Sequence, residues 1–236
     1  MLEIKKVIRK NANKEKAKIL QRFFKTGEGE YGEGDVFLGL QVPVSRGIAK
    51  KFPDLSLKDV GTLLKSEIHE ERLIAWIILV NQFKKADEAK QEKIYKFYIK
   101  NAKRVNNWDL VDLSAEYIVG EYLYERDRSP LYKLARSKNL WEKRISMLST
   151  FAFIKKGETK DTFKIAELLM DDTHDLIHKA VGWMIREAGK RADEKAMLKF
   201  LNKHAHHMPR TMLRYSIENL NPKLRKKYLE AALLQK

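Results

Sequence analysis

The residues best placed to do chemistry lie in one short stretch, Asn106-Asn107-Trp108-Asp109-Leu110-Val111-Asp112-Leu113-Ser114. Either asparagine can cap a helix opening near Trp108, because its side-chain oxygen accepts from the free N–H groups of a first turn. Asp109 then falls in that first turn, where a carboxylate favours the helix dipole. Asp112 stands four residues after Trp108, so indole and carboxylate share one helix face. Val111 and Ala115 flank Asp112 and make that face partly apolar. A carboxylate there is costly unless something pairs with it or uses it. It is either half of an ion pair with a nearby arginine or a group that meets positive charge during a reaction, and spacing alone leaves both open.

Two further stretches carry tryptophan beside cations. In Asn139-Leu140-Trp141-Glu142-Lys143-Arg144, Trp141 and Arg144 are three residues apart. Arg144 can hold a phosphate bidentately or neutralise Asp112 from a neighbouring helix. In Lys179–Glu187 (KAVGWMIRE), Lys179 and Trp183 share a face with Arg186 next to it. Gly182 inside that helix costs up to about 1 kcal/mol, which predicts a close approach by another element. Tryptophan interleaved with Lys and Arg is a nucleic-acid pattern; for Trp76 a place in the core is the stronger reading. His174-Asp175-Leu176-Ile177-His178 echoes a zinc-binding HExxH helix, but with Asp for Glu and no third ligand in view, so no metal site is expected. His204, His206 and His207 read as a helix end beside a phosphate groove. The basic run Lys223–Lys227 is either a phosphate contact or the solvated face of a last helix.

These side chains must be positioned by helices. Leu73, Trp76, Ile77, Val80 and Phe83 recur at three- and four-residue steps, as do Ile177, Val181, Met184 and Ile185. Turn signals fall at regular intervals, with Asp54 or Ser56, Asp161-Thr162 and Pro222 in helix-opening roles. The spacing predicts about twelve helices, roughly six antiparallel pairs of about 40 residues, the HEAT/armadillo period. The expected fold is an all-α solenoid of HEAT-like pairs with a concave basic face, formed by residues 1–236 as a single domain; a compact helical bundle is the alternative. Val36–Val42 is the nearest approach to a strand. Five of the 11 glycines lie between Gly27 and Gly39, and this segment reads as a flexible loop. Its formal GxGxxG follows a helix and carries acids that would repel phosphate, so no nucleotide cofactor is expected.

Composition narrows the classes further. Of 236 residues, 48 are Lys or Arg and 32 are Asp or Glu, leaving a net charge of +16. An apolar fraction of 44% is too high for a disordered basic tail. With no Cys there is no disulfide framework, thiolate metal site or cysteine nucleophile. The start, MLEIKKVIRKNANKEK, carries no signal-like apolar run, and the longest apolar stretch, Leu73–Phe83, is far short of a membrane span. The charge is spread along the chain and predicts an anionic partner, nucleic acid before a membrane surface. A cytoplasmic, nucleoid-associated, prokaryotic monomer is expected.

WDLVD, then LWEKR about thirty residues on, then KAVGWMIRE about forty after that, together resemble the DNA alkylation repair enzymes of the AlkD type. The resemblance runs in order over roughly residues 17–220, and Val36–Pro43 (VFLGLQVP) is similar to that family's N-terminal region. It implies HEAT-like repeats around a DNA-binding groove and a cofactor-free glycosylase that removes N3- and N7-alkylated purines, such as 3-methyladenine and 7-methylguanine, from duplex DNA without flipping the base. It assigns Asp112 as the catalytic carboxylate, Trp108 and Trp183 as aromatic walls and Arg144 as supporting cation; Lys179 and Arg186, flanking Trp183 by spacing, are read as neighbouring DNA contacts. Phe23 stands where the family pattern leads one to expect a tyrosine, which keeps stacking but removes a hydroxyl. The alternatives are a non-catalytic HEAT-repeat DNA-binding protein and, more distantly, a helical scaffold for acidic proteins.

Overall fold

A computed structural model describes residues 2–231, and the chain divides into two compact units, 1–114 and 115–236. Helices account for both, and no strand occurs among the described residues. The all-helical class read from the periodicity is therefore what the structure shows.

The first unit contains α1 (Leu2–Lys10), α2 (Lys14–Phe23), α3 (Val42–Lys51), α4 (Leu57–Leu63), α5 (His69–Lys85), α6 (Glu88–Lys100) and α7 (Trp108–Asp112). Its organiser is α5, against which α1, α3, α4, α6 and α7 all pack. Leu73–Val80 is buried without interruption, so this helix is apolar on every side because it is surrounded on every side. Trp76 is fully buried at its centre, in the core place expected for it. Caps fix the starts of the surrounding helices: Ser56 accepts from the Asp59 amide and Asp87 from the Lys90 amide.

The second unit opens with a π-helical turn, Glu116–Gly120, running into α8 (Glu121–Leu123). It continues through α9 (Ser129–Ala135), α10 (Leu140–Ser149), α11 (Phe151–Lys155), α12 (Lys160–Leu168), α13 (Asp175–Arg191), α14 (Glu194–His204), α15 (Arg210–Ser216) and α16 (Pro222–Ala231). Here α13 is the organiser, with α10, α11, α12, α14 and α15 packed on it. Its buried stripe is the predicted one, Ile177, Val181, Met184 and Ile185. The helical segments outnumber the twelve expected because long stretches break: α10 gives way to α11 at Thr150, whose hydroxyl turns back to the Met147 carbonyl.

Two local expectations change, for Asp161-Thr162 and for the glycine-rich segment. Asp161-Thr162 does not cap α12; the helix begins at Lys160, while the Asp161 carboxylate accepts from Arg128 at 2.7 Å and from the Tyr132 hydroxyl at 2.5 Å. Val36 makes one parallel bridge to Ile68 and no strand. The glycine-rich segment is held in place over its second half. There the buried Glu70 carboxylate accepts the amides of Leu38, Gly39 and Leu40 at 2.8–3.1 Å. A carboxylate three amides deep is fully satisfied, and those amides have no freedom left to let the loop swing.

Gly182 carries a measurable consequence. A Cβ there would stand 2.5 Å from the Met212 carbonyl oxygen and 2.6 Å from Tyr215 Cβ, so the glycine is what lets α13 and α15 touch. In an open helix Gly→Ala gains up to about 1 kcal/mol. Forcing a methyl into packed backbone costs about 1–3 kcal/mol, and that effect wins. Gly182→Ala is therefore expected to lower the urea midpoint; an unchanged or raised midpoint would show that the helices yield freely.

Candidate active site on the first unit

The helix that carries Trp108 and Asp112 is only five residues long, far too short to stand by propensity. It is built from both ends of its first turn. Asn107 Oδ1 accepts from the Trp108 amide at 2.8 Å, so of the two candidate caps Asn107 serves. Asp109 accepts from His69 Nε2 at 2.8 Å, while His69 Nδ1 meets Asp35 at 3.1 Å. The same Asp35 carboxylate takes Arg72 Nη2 at 2.5 Å, and Asn106 and Asn107 reach it at 3.3 and 3.4 Å. His69, Asp35 and Arg72 are buried, so one polar cluster ties the glycine-rich segment, α5 and α7 together.

Burial alone would depress the His69 pKa. The charge and hydrogen bond of Asp109, with the bond to Asp35, outweigh burial and raise it to about 9. The imidazole is thus a cation at neutral pH, donating from both nitrogens. Asp35 is the mirror case: burial pushes its pKa up, but the His69 bond and the charges of Arg72 and His69 hold it below the usual range.

Above this cluster lies an aromatic stack. Phe37 stacks on His69 (centroids 4.4 Å apart) and Phe24 on Phe37 (5.0 Å), while Trp108 stacks on Phe24 at 5.1 Å and 20°. A protonated imidazole against a ring face adds a cation–π term. Phe23, the last residue of α2, meets Trp108 edge-on at 5.9 Å and stays 61% exposed. Phe23 and Trp108, two of the candidate site residues, thus stand side by side. Position 23 carries no hydroxyl, and beside the same indole the Tyr31 hydroxyl accepts from Trp108 Nε1 at 3.2 Å. Asp112, half-buried, closes α7, one turn after Trp108. The buried Tyr98 hydroxyl, bonded to Ser114 Oγ at 3.0 Å, is raised in pKa by burial, and the Asp112 charge adds to that.

The remaining site candidates belong to the second unit. Arg144 is buried on α10, and its Nη1 donates to the Leu176 carbonyl at 2.7 Å. Trp141 is a core residue. Trp183 is half-buried on α13 with Phe151 at 6.1 Å, and Lys155 and Arg191 lie over that phenyl ring at 4.7 and 5.4 Å. Lys179 pairs with Asp175 at 2.7 Å. Arg186 pairs with Glu218 and, at 3.5 Å, with Glu187, so carboxylates of its own unit already meet its charge. His174 Nδ1 accepts the Leu176 amide at 3.1 Å and His178 bonds the Asp172 carbonyl, both local helix-start contacts. His204 meets Glu167 at 2.9 Å.

Sequence reasoning missed Asp35, His69, Arg72, Glu70 and Tyr31. His69-Glu70-Glu71-Arg72 looks like the solvated first turn of an apolar helix. The available signal was that the helix behind it has no polar face, so its first turn could not be a surface either.

An all-helical chain with a carboxylate and an indole on one short, internally braced helix is the class of protein defined by these observations. The profile of the family described as DNA alkylation repair enzyme matches residues 4–220. The chain belongs to that family, and its role is in DNA repair. A solved structure described as "Predicted DNA alkylation repair enzyme from Enterococcus faecalis" is similar in fold, with a TM-score of 0.69 at 15% identity, covering 89% of this chain and 97% of that one. No curated protein matches the chain. No helix of the described residues is long and apolar enough to cross a membrane.

The His69 cluster predicts a pH profile. Its folded pKa of about 9 lies above the ordinary 6.5, so its contribution is complete below pH 6.5 and lost as pH rises through about 9. Asp35, held below 3.8, contributes above pH 3.8 and loses its share in stronger acid. Thermal unfolding followed from pH 6 to 9.5 should show the melting temperature falling, with less of that fall in His69→Gln. Parallel profiles for the two proteins would rule out a charged His69.

Proposed function

We propose that the chain is a DNA glycosylase that excises cationic N3- and N7-alkylated purines from duplex DNA in base excision repair. What carries the reading is Asp112 one turn after Trp108 on α7, a carboxylate and an indole presented together in a chain of this family. An N3- or N7-alkylated purine is already positive. When the bond from sugar C1′ to the purine nitrogen breaks, its electron pair neutralises the base, which leaves without a general acid. The sugar is left as an oxocarbenium-like cation. The ionised Asp112 stabilises that cation and orients a water, whose oxygen bonds to C1′ while its proton passes to the carboxylate. Free alkylpurine and an abasic site result, and no cofactor or metal is needed.

Trp108 and Phe23 offer the cationic nucleotide aromatic faces, more attractive once water is excluded. On the second unit, Trp183 and Lys179 are assigned to DNA contact and Arg144 to the role of supporting cation. Arg186, occupied by Glu187 and Glu218, is assigned to shaping α13 before touching phosphate. The +16 surplus supplies sequence-independent attraction to the duplex. Recognition through backbone and stacking, with the base left in the helix, fits a site whose acid stands on a half-buried helix end.

Base release from duplex containing 7-methylguanine tests this directly. Asp112→Asn should lose about 100- to 1,000-fold in single-turnover rate, the usual cost of one preorganised charge-stabilising group, with duplex affinity little changed. A variant as fast as wild type would remove Asp112 from the mechanism. Wild-type protein that releases neither 7-methylguanine nor 3-methyladenine, yet binds duplex with the expected steep salt dependence, would leave a non-catalytic DNA-binding protein.

A further inference from the structure

Ring stacking fixes the plane of Trp108 more firmly than the way its indole faces within that plane. Its inner face rests on Phe24 at 5.1 Å and 20°, and Phe23 touches it edge-on. Stacking holds the plane of the indole, and a half-turn about χ2 keeps that plane while swinging the six-membered ring to the other side of the Cβ–Cγ axis. Such a turn would, however, move the Nε1–H to the other side and present a different edge and outer face toward the end of α7. A directional contact discriminates between the two more sharply than ring contacts do, and an indole has one donor with which to make it. That donor is given to the Tyr31 hydroxyl at 3.2 Å.

Tyr31 is well placed to impose this choice because its loop is built to hold it. The Gly32 amide donates to the Lys25 carbonyl at 3.0 Å. A Cβ on residue 32 would lie 2.5 Å from the Phe24 carbonyl oxygen, so the chain next to Tyr31 runs directly against the end of α2. On either side, Glu30 accepts the Gly27 amide and Glu33 the Gly29 amide, each at 2.9 Å. The acids that spoiled a phosphate-loop reading of this segment thus serve as its internal braces. The tyrosine and the phenylalanine beneath the indole are both fixed to the same turn.

We propose that Tyr31 is a positioning residue: its hydroxyl, carried by the glycine-rich loop, sets the rotation of Trp108 so that the indole face stands ready for the nucleotide on which Asp112 acts. The proposal rests on the glycosylase reading for its consequence and not for its geometry. Tyr31→Phe keeps the ring and removes the bond. In a 15N-labelled protein the four tryptophans give four indole N–H signals, and Trp108→Phe identifies the one belonging to Trp108. In Tyr31→Phe that signal should move while the other three stay. Loss of one orienting hydrogen bond, about 1 kcal/mol, should lower the single-turnover rate of 7-methylguanine release about 5- to 10-fold. Affinity for the same duplex should change less than twofold. An unmoved Trp108 signal overturns the proposal, as does a moved signal with a wild-type rate. Should wild-type protein release no base at all, the glycosylase reading falls, and the indole signal alone decides whether Tyr31 orients Trp108.

Discussion

The buried imidazolium of His69, clamped between Asp35 and Asp109, is the contact on which the placement of α7 in the first unit depends. Each of its two bonds belongs to a different part of the chain. One reaches the glycine-rich segment, the other the first turn of α7, and the histidine itself opens α5, the helix around which the unit is packed. Breaking a buried ion pair by removing one partner costs about 3–5 kcal/mol, because the other charge is left without water or a counterion. That is a large part of a domain's whole stability, so α7 is held by something the fold cannot give up cheaply.

This clamp explains why a five-residue helix can serve as a platform. Hydrophobic burial fixes α7 only loosely, through Leu110 and Val111. The polar contacts add direction: Asn107 caps the first amide, Asp109 is tied to His69, and Asn107 shares Asp35 with Arg72. The aromatic stack then converts that rigidity into a surface, since Phe37 and Phe24 transmit the position of His69 to Trp108 ring by ring. In the second unit the organiser α13 reaches the same end by packing, with Gly182 admitting α15 to backbone contact. Trp183 rides on that helix, so its position follows from helix packing rather than from a polar cluster.

How much of this was legible in the sequence depends on range. Periodicity read the buried stripes of α5 and α13 and the all-helical class, because a helix writes its burial into its own neighbours in sequence. Caps were legible for the same reason, as Asn107 and Ser56 show; Asp161 failed because a carboxylate can be claimed from far away, here by Arg128 and Tyr132. The juxtaposition of Phe23 with Trp108 came from family resemblance and not from spacing. The partners in the polar cluster were invisible: Asp35 and Asp109 are 34 and 40 residues from His69, and the lack of a polar face on α5 tells that its first turn is buried but not which charges meet it. Tyr31 was hidden in the same way, inside a loop whose glycines and acids look like slack and instead form a braced turn.

An acid at the working end of so basic a chain sharpens the division of labour in the proposed mechanism. The surplus of +16 acts at long range on phosphates, is screened within about 10 Å at ordinary ionic strength, and has no preference for a damaged nucleotide. A single carboxylate acts at contact distance, where the lesion differs from every normal base by one positive charge. Uniform attraction to substrate and transition state lowers the concentration needed for binding but does not speed bond cleavage. Rate requires an interaction that strengthens as charge moves from base to sugar, and only a negative group fixed beside the sugar strengthens in that way. In the proposed mechanism the surplus of positive charge therefore cannot substitute for Asp112, and the polar clamp contributes by fixing the first turn of the short helix that ends at that residue.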